Sequence, residues 1–194
     1  MNNVTSILQI TITIMSSPDP YGEFISQQYI CSQYQGSRSY PAVSYEVLLL
    51  EQARQRASRR EEMLFRQLTG IFDWKMSALE CDDYLHKLRT GYTLVLTDLS
   101  KSIIWTSQNF LTMTGYTSAE ILGKKSSLLQ GPDTDPAVLM RIGKALGLAQ
   151  PAGADLVNYR KNGQTYVCRV HIEPLYDNRQ NLTHFLAVER EVPM

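Results

Sequence analysis

The side chains that could act as nucleophiles or metal ligands are few and widely spaced along the chain. The cysteines and histidines are Cys31, Cys81, His86, Cys168, His171 and His184. Their spacing matches neither a zinc site nor an HExxH helix, and the sequence has no glycine-rich phosphate loop. The sequence therefore predicts no catalytic residue and no metal site, and we expect that the protein is not an enzyme.

A pair of hydroxyl side chains stands in the most distinctive segment, GKKSSLLQGPDTD, which spans Gly123 to Asp135. Its second half has the character of a fixed motif, whereas its first half contains the serine pair Ser126 and Ser127. A serine hydroxyl is a poor nucleophile at neutral pH unless a base activates it. The segment therefore raises the question of whether this protein performs chemistry or signals only through binding.

The overall composition favours a globular protein that does not bind nucleic acid. Hydrophobic residues make up 43% of the 194 residues, and the 19 basic residues equal the 19 acidic ones. A dedicated nucleic-acid binder usually has a basic surplus. The apolar stretch from Ile7 to Ile14 is too short to cross a bilayer, and the first basic residue is Arg38, which argues against a secretory signal. We therefore expect a cytoplasmic protein without a membrane or nucleic-acid partner.

The chain divides into three segments that differ in residue composition and hydrophobic pattern. Residues 1–43 are rich in Ser, Gln, Tyr and Thr with scattered Pro and Gly, and no period persists, which predicts a disordered or poorly structured segment. Met15 offers an alternative translation start, so translation of residues 1–14 stays open. Residues 44–90 have the composition of a helical extension, and residues 91–194 have the pattern of a compact domain.

The helical extension should contain two helices. The first is predicted from Ser44, as its cap, to Phe72, and its apolar residues recur at three- and four-residue steps. These residues are Leu50, Ala53, Ala57, Leu64, Leu68 and Ile71. Packing on its own domain and forming a dimer are both compatible with this stripe. The arginines from Arg54 to Arg60 are flanked by glutamates and indicate a solvated helix face.

The second helix is predicted from Ser77 to Leu88 with Leu79, Tyr84, Leu85 and Leu88 on its apolar side, ended by Gly91. Strand-like segments then follow at residues 92–97 and 102–106, and short helices at 109–113 and 118–122, the second capped by Ser118. A longer helix begins with Asp135 as its cap and Pro136 as its first position. A hairpin centred on Asn162-Gly163 and a final strand from Leu182 to Val192 complete the chain. Two strand pairs separated by helices predict an α+β fold with an antiparallel sheet and helices on one face.

The last hundred residues resemble the PAS superfamily and, within it, the LOV flavin-photosensor branch. Four sequence segments carry the resemblance in order: WTSQNFLTMTGYTSAEILGK, LLQGPDTD, NYRKNGQTYVCRVHIEPLYD and HFLAVEREV. The resemblance implies a five-stranded antiparallel sheet that encloses a small pocket. In LOV proteins this pocket holds flavin mononucleotide (FMN), and blue light drives a cysteine thiol onto the flavin ring.

The resemblance also implies which residues have replaced the flavin-binding ones. The reactive cysteine corresponds to Ser126, the phosphate-pairing arginine to Ser127, and the preceding asparagine to Lys125. A second phosphate-pairing arginine corresponds to Gly143, although Arg141 lies close enough in sequence to substitute for it. A neutral hydroxyl cannot provide the bidentate, charge-assisted bonds that phosphate favours.

The polar ring expected around a flavin is also altered. Gln130 and Asn158 match the family, whereas a second asparagine is replaced by Cys168 and a signalling glutamine by Glu189. These four residues and Ser126 are the candidate pocket lining. Without flavin, Gln130 and Asn158 would satisfy backbone groups of the cavity wall, and Cys168 would be a small core residue.

Glu189 needs a partner if it faces inward, because a buried carboxylate must pair with a cation or hold a proton. Lys125 and Arg169 are the candidate cations. A shift of the strand register by one residue would instead turn Glu189 to solvent.

The resemblance therefore predicts a PAS-type sensor or adaptor that lacks cysteinyl-flavin adduct chemistry. No recognisable output segment follows Val192, so signalling is expected to pass to a separate effector protein, through the exposed face of the sheet or the helix at residues 44–72. We also expect a homodimer and leave open a small-molecule ligand. The alternative is a blue-light photoreceptor that binds FMN and signals through a flavin radical, with Trp105 or a nearby tyrosine as electron donor.

Overall fold

The structure, a computed structural model, describes residues 42–193, with side chains from residue 45 onward. The chain divides into two compact units, residues 1–51 and 52–194. Only residues 42–51 of the first unit are described, and they are helical. The predicted disorder of residues 1–43 and the alternative start at Met15 therefore fall almost wholly outside the described residues.

The described residues form five α-helices and five strands. The helices are α1 (Ala42–Ile71), α2 (Ala78–Arg89), α3 (Asn109–Thr114), α4 (Ser118–Ile121) and α5 (Pro136–Gly147), with a 3-10 helix at Ser126–Leu129. The strands are β1 (Thr93–Asp98), β2 (Ile103–Thr106), β3 (Ala152–Tyr159), β4 (Thr165–Tyr176) and β5 (Leu182–Val192). The predicted strand at residues 182–192 has the observed bounds.

The strands form a single antiparallel sheet in the order β2-β1-β5-β4-β3. The last strand of the chain therefore lies in the middle of the sheet, between β1 and β4. The β3–β4 turn contains Gly163 at φ 86°, a left-handed conformation that glycine adopts without strain. The predicted α+β fold with a five-stranded antiparallel sheet is confirmed.

Both faces of the central strands are buried, and strand alternation divides their side chains between two cores. Leu94 and Leu96 of β1, together with Leu186 and Val188 of β5, face α1 and α2. Their neighbours Val95, Phe185 and Ala187 face the short helices and α5. Because successive strand residues point to opposite faces, β1 and β5 touch both cores at once.

Helices α1 and α2 cover the β1 and β5 side of the sheet. Phe65 of α1 has no exposed surface, and its ring lies 5.8 Å from Tyr84 of α2 and 6.0 Å from Trp105 of β2. Arg89 donates to both carboxylate oxygens of Glu62 at 2.8 and 2.9 Å, which ties α2 to α1. The part of this sheet face that β1 and β5 form is therefore covered by the chain's own helices, whereas Arg169 and His171 of β4, on the same face, are exposed.

Three details of the helices differ from the sequence predictions. Helix α1 begins at Ala42, so Ser44 lies inside its first turn and is not its cap. Leu79 of α2 is 83% exposed, and Cys81 takes its place in the core, because the side of α2 that faces the sheet is set by Tyr84 and Leu85. Helix α4 is capped by Thr117 rather than Ser118, since the Thr117 hydroxyl and Glu120 form a capping box.

A buried hydrogen bond joins the α1–α2 connection to the sheet. The indole Nε1–H of Trp74 donates to Nδ1 of His184 on β5 at 3.2 Å. The His184 ring also packs against Phe72 with centroids 4.2 Å apart.

No helix in the part of the chain that the structure describes combines the length and apolar character that crossing a membrane requires.

Candidate functional site

A cavity of about 320 Å³ lies between the sheet and the short helices. Its walls are mostly apolar, and its lining includes all eight positions at which the sequence was compared with the LOV pattern. These positions are Lys125, Ser126, Ser127, Gln130, Gly143, Asn158, Cys168 and Glu189. The structure therefore brings together residues that are spread over sixty-five positions of the sequence.

The polar wall of the cavity is built by three neighbouring strands. Asn158 of β3, Cys168 of β4 and Glu189 of β5 all point to the cavity side of the sheet and are all buried. Asn158 lies beside Tyr166, its register partner on β4, and Glu189 is in register with Val170. Tyr166, Cys168 and Val170 are two residues apart along β4, so their side chains share one face of the sheet. Their register partners Asn158 and Glu189 therefore lie on that face as well.

Glu189 faces inward, and its expected cation partners are engaged elsewhere. Arg169 pairs with Asp155 at 2.7 and 2.8 Å on the other face of the sheet, because it immediately follows the inward-facing Cys168. The ammonium group of Lys125 donates to the Ser100 carbonyl oxygen. The expectation that Lys125 or Arg169 would meet Glu189 is therefore wrong.

The remaining contact of Glu189 is with sulfur. The Cys168 thiol donates to Oε2 of Glu189 at 3.8 Å, which is a weak interaction. Burial raises the pKa of the Glu189 carboxyl to about 7, and the thiol contact offsets that rise slightly. Near neutral pH this carboxyl therefore exists in both its protonated and its ionised form.

Cys168 is the thiol that lines the cavity among the described residues, and its environment keeps it protonated. It is 1% exposed, and burial and the negative charge of Glu189 both raise the pKa of its thiol. The thiolate is the nucleophilic form of cysteine, so this side chain is unreactive at neutral pH. The interpretation of Cys168 as a small core residue agrees with its burial.

Ser126 and Ser127 lie at the opening of the cavity, in the first turn of the 3-10 helix. Both residues are exposed, whereas Leu129 at the other end of this short helix is buried in the core. Lys125 precedes the helix in extended conformation, and its backbone forms an isolated antiparallel β-bridge with Ser102. The two hydroxyl groups can therefore reach both solvent and a molecule in the cavity.

The segment Gly131–Asp135 is a turn whose side chains fix its shape. The Thr134 hydroxyl donates to the Val157 carbonyl oxygen at 2.6 Å and accepts from the Gly131 N–H at 3.0 Å. The Tyr159 ring packs so closely over Gly131 that a Cβ there would lie 2.4 Å from it. This turn positions the half-buried Gln130 at the cavity. These contacts give the residues of the motif a structural role that requires no catalytic function.

Helix α5 forms one wall of the cavity. Asp135 caps it by accepting from the Ala137 N–H at 2.8 Å, and Pro136 occupies its first turn, as the sequence predicts. Gly143 lies on its cavity side, and a Cβ at that position would meet no atom within 4 Å. Arg141 is exposed and is not part of the lining, so it does not replace the missing arginine in this structure.

One charged lining residue was missed by the sequence comparison. Lys101 lies in the β1–β2 turn with φ 64° and reaches the cavity opening. Positively charged turn residues are common on protein surfaces, so its position next to the cavity could be known only from the fold. Lys101 and Lys125 are the two cationic residues of the lining.

The lining fits a flavin only in part. Asn158 and Gln130 supply amides for a heterocyclic ring, and 320 Å³ is near the lower end of the roughly 300–1,000 Å³ common for ligand sites. The opening offers two flexible lysines and two serines where a phosphate would be held best by guanidinium groups. The residues present therefore lack a tight site for the FMN phosphate.

Comparison with protein families finds a match to the PAS domain over residues 89–192. A blue-light-activated histidine kinase of Brucella ovis is 34% identical over 92 residues, which cover 47% of this chain and 19% of that protein. The corresponding kinase of Brucella anthropi is 37% identical over the same length. The chain thus spans less than a fifth of the length of these curated relatives.

Solved structures show the same architecture. The dark structure of the blue-light photoreceptor Aureochrome1 LOV is 30% identical, with a TM-score of 0.54, and the match covers 61% of this chain and 85% of that one. The light-state dimer of the fungal blue-light photoreceptor Vivid is 31% identical, with a TM-score of 0.50, over 53% of this chain and 78% of that one. These similarities support a PAS domain of the LOV-like kind.

Proposed function

The chain belongs to the PAS domain family, and on that premise we propose that it is a signal-transduction sensor or adaptor without cysteinyl-flavin adduct chemistry. Occupancy of the cavity by a ligand, or contact with a partner, changes how the sheet packs. The changed packing alters contacts with other proteins. In this proposal the protein has no enzymatic activity of its own.

The observation that carries the proposal is the chemistry of the cavity opening. Ser126, which the resemblance aligns with the reactive cysteine, lines the cavity, and its hydroxyl is too weak a nucleophile to replace a thiol. The cysteine of the lining, Cys168, lies on the opposite wall in the sheet and is kept protonated. Both facts favour a site that binds without forming a covalent bond.

The two-sided burial of β1 and β5 supports a route for the signal. Val95 and Ala187 contact the cavity, while their neighbours Leu96 and Val188 contact the core under α1 and α2. A shift of these strands therefore changes both cores, because close-packed interiors transmit small displacements. The output surface in this proposal is α1, which would pair with a second copy of the chain or with a separate effector protein.

An absorbance spectrum of the purified protein tests the proposal. A colourless protein, or a yellow one that does not bleach under blue light, is the expected result. In protein loaded with FMN, Ser126→Cys should gain reversible bleaching, whereas Ser127→Cys, one residue farther along the same turn, should not. Bleaching of the wild-type protein with formation of a flavin–thiol bond would contradict the proposal.

The second candidate is a blue-light photoreceptor that binds FMN, and it is favoured by the blue-light relatives named above. The positions of the aromatic residues weigh against it. Trp105 packs against Phe65 on the helix-covered face of the sheet, and neither tyrosine nor tryptophan lines the cavity among the described residues. Tight one-to-one FMN that responds to light in the wild-type protein would favour this candidate over the first.

A further inference from the structure

The deep wall of the cavity holds a carboxylate that lacks a strong donor. Glu189 is 9% exposed, and its side-chain bond is the 3.8 Å contact from the Cys168 thiol. Its register neighbours in the sheet are Thr93 on β1 and Val170 on β4. Within the part of the chain that the structure describes, neither a lysine nor an arginine forms an ion pair with it.

A buried carboxylate without donors is unfavourable, because ionisation in an apolar environment is not compensated. The cavity would relieve this cost by taking up a molecule that brings its own donors. N–H groups of a heterocycle or of an amino substituent are the natural donors, since they match the two acceptor oxygens of a carboxylate.

The shape and remaining lining of the cavity favour a planar ring. Val95, Phe185 and Ala187 of the sheet form one wall, and Ile142 and Leu146 of α5 form the opposite one. Apolar walls on two sides suit an aromatic ring, and the amides of Asn158 and Gln130 can orient polar atoms at its edge.

Building on the sensor function proposed above, we propose that the cavity binds a planar nitrogen heterocycle whose N–H donors bond the Glu189 carboxylate. Where the heterocycle is basic, it binds as a cation. Lys101 and Lys125 line the cavity opening, but both residues are exposed, so solvent and salt screen their repulsion of such a ligand.

Proflavine, a fluorescent three-ring cation with amino groups, tests the inference by titration of its fluorescence anisotropy. Anthracene-2-carboxylate, a three-ring anion without N–H groups, is the matched probe. The wild-type protein should bind one proflavine per chain and bind the anion more weakly by about tenfold or more. Glu189→Gln should weaken proflavine binding about tenfold or more, and Glu191→Gln, on the same strand but outside the cavity, should leave it unchanged.

The pH dependence of the wild-type protein gives a second measurement that needs no variant. The titratable or charged groups near Glu189 are Cys168 and Tyr166 on β4 and, at the opening, Lys101 and Lys125. Cys168 stays protonated, because burial and the charge of Glu189 raise the pKa of its thiol, so proflavine binding should strengthen from about pH 6 to about pH 8 as Glu189 ionises. In Glu189→Gln this dependence should vanish.

The ligand class and the sensor function fail in distinguishable ways. Equal proflavine binding by wild type and Glu189→Gln, equal binding of the two probes, or a flat pH profile would overturn the ligand class alone. A wild-type cavity that holds neither probe nor FMN would overturn the ligand class and the ligand-sensing function together.

Discussion

At the scale of single residues, two side chains of the cavity have different consequences. Ser126 places a hydroxyl at the cavity opening, while Glu189 places an ionisable group in the cavity wall. Burial raises the pKa of the Glu189 carboxyl to about 7, so this group titrates in the neutral range. Such groups couple folding and ligand binding to pH.

Glu189 should make the protein less stable as pH rises. Its carboxyl has a pKa of about 7 in the folded state and an ordinary value of 4.5, so between these values the folded state holds a proton that the unfolded state has lost. The free energy of unfolding should fall across this window by about 3 kcal/mol. Urea unfolding of wild type and Glu189→Gln at about pH 5 and about pH 8 measures the effect.

The free energy of unfolding of Glu189→Gln should change little over this pH range, apart from changes that both proteins share. The difference between wild type and variant isolates Glu189 from the other titrating groups. Equal pH dependence in the two proteins would mean that the Glu189 carboxyl is solvated or paired with a cation in solution.

At the scale of elements, α1 and α2 are part of the core and not a detached extension. Phe65, Tyr84 and Leu85 pack with β1 and β5, and the Glu62–Arg89 ion pair and the Trp74–His184 bond fasten the edges of the contact. Helix α1 therefore packs on its own domain through the side that carries Phe65 and Leu68, whereas Leu50, Leu64 and Ile71 of the predicted stripe are exposed. Its exposed side stays available to a partner.

Phe65→Ala should destabilise the protein strongly, because it empties a fully buried site between α1, α2 and the sheet. Substitutions of this kind typically cost about 3–5 kcal/mol. Leu64→Ala is the matched control, since Leu64 precedes it on the same helix and is 40% exposed. Chemical unfolding followed by circular dichroism compares them, and similar losses would show that α1 does not dock through Phe65.

His184 should destabilise the packing of α1 and α2 at acidic pH. Burial lowers the pKa of this imidazole, although Asp98 opposes the shift, and its Nδ1 must stay unprotonated to accept from Trp74. As pH falls below the ordinary histidine value, the unfolded state binds a proton that the folded state resists, so stability falls.

The comparison is best made in the Glu189→Gln background, where the opposite effect of that carboxyl is removed. Adding His184→Gln should flatten the loss of stability between about pH 7 and about pH 5. Tryptophan fluorescence during urea unfolding measures the stability of Glu189→Gln and of the double variant at each pH. An unchanged acid slope after His184→Gln would contradict this role of His184.

At the scale of the whole molecule, the sheet lies between the cavity and the helices α1 and α2 and contacts both. Leu64 and Ile71 lie seven residues apart on α1, and they are 40% and 72% exposed. Apolar residues at this spacing form the seam of helix pairs, so a second copy of the chain is the occupant that we expect. The Vivid light-state dimer is a precedent for pairing among similar structures.

Replacing both residues by serine, Leu64→Ser with Ile71→Ser, should weaken dimerisation by about tenfold or more, because each change removes apolar area from the seam. Sedimentation equilibrium of wild type and variant measures the dissociation constants. Met140→Ser with Leu148→Ser changes two exposed apolar residues associated with α5 and should leave dimerisation unchanged. A wild-type protein that stays monomeric at every concentration would contradict dimerisation through α1.

The sequence by itself determined the elements and the family. Alternating β-branched and apolar residues predicted the strands, Asp135-Pro136 predicted the start of α5, and the glycine at position 163 predicted the β3–β4 turn. These features depend on neighbouring residues only, so a linear reading captures them. The family motif also named a candidate pocket lining, and the structure has all five residues on one cavity: Ser126, Gln130, Asn158, Cys168 and Glu189.

Only the tertiary structure decided what surrounds each side chain. It placed Arg169 on the far face of the sheet, tied Lys125 to a carbonyl, brought Lys101 to the cavity opening and buried Phe65 instead of Leu64. The burial and the partners of a side chain depend on elements that are far apart in the chain. A shift of one residue along a strand turns each side chain to the opposite face of the sheet. For that reason the sequence could identify Glu189 but not show that it lacks a cation.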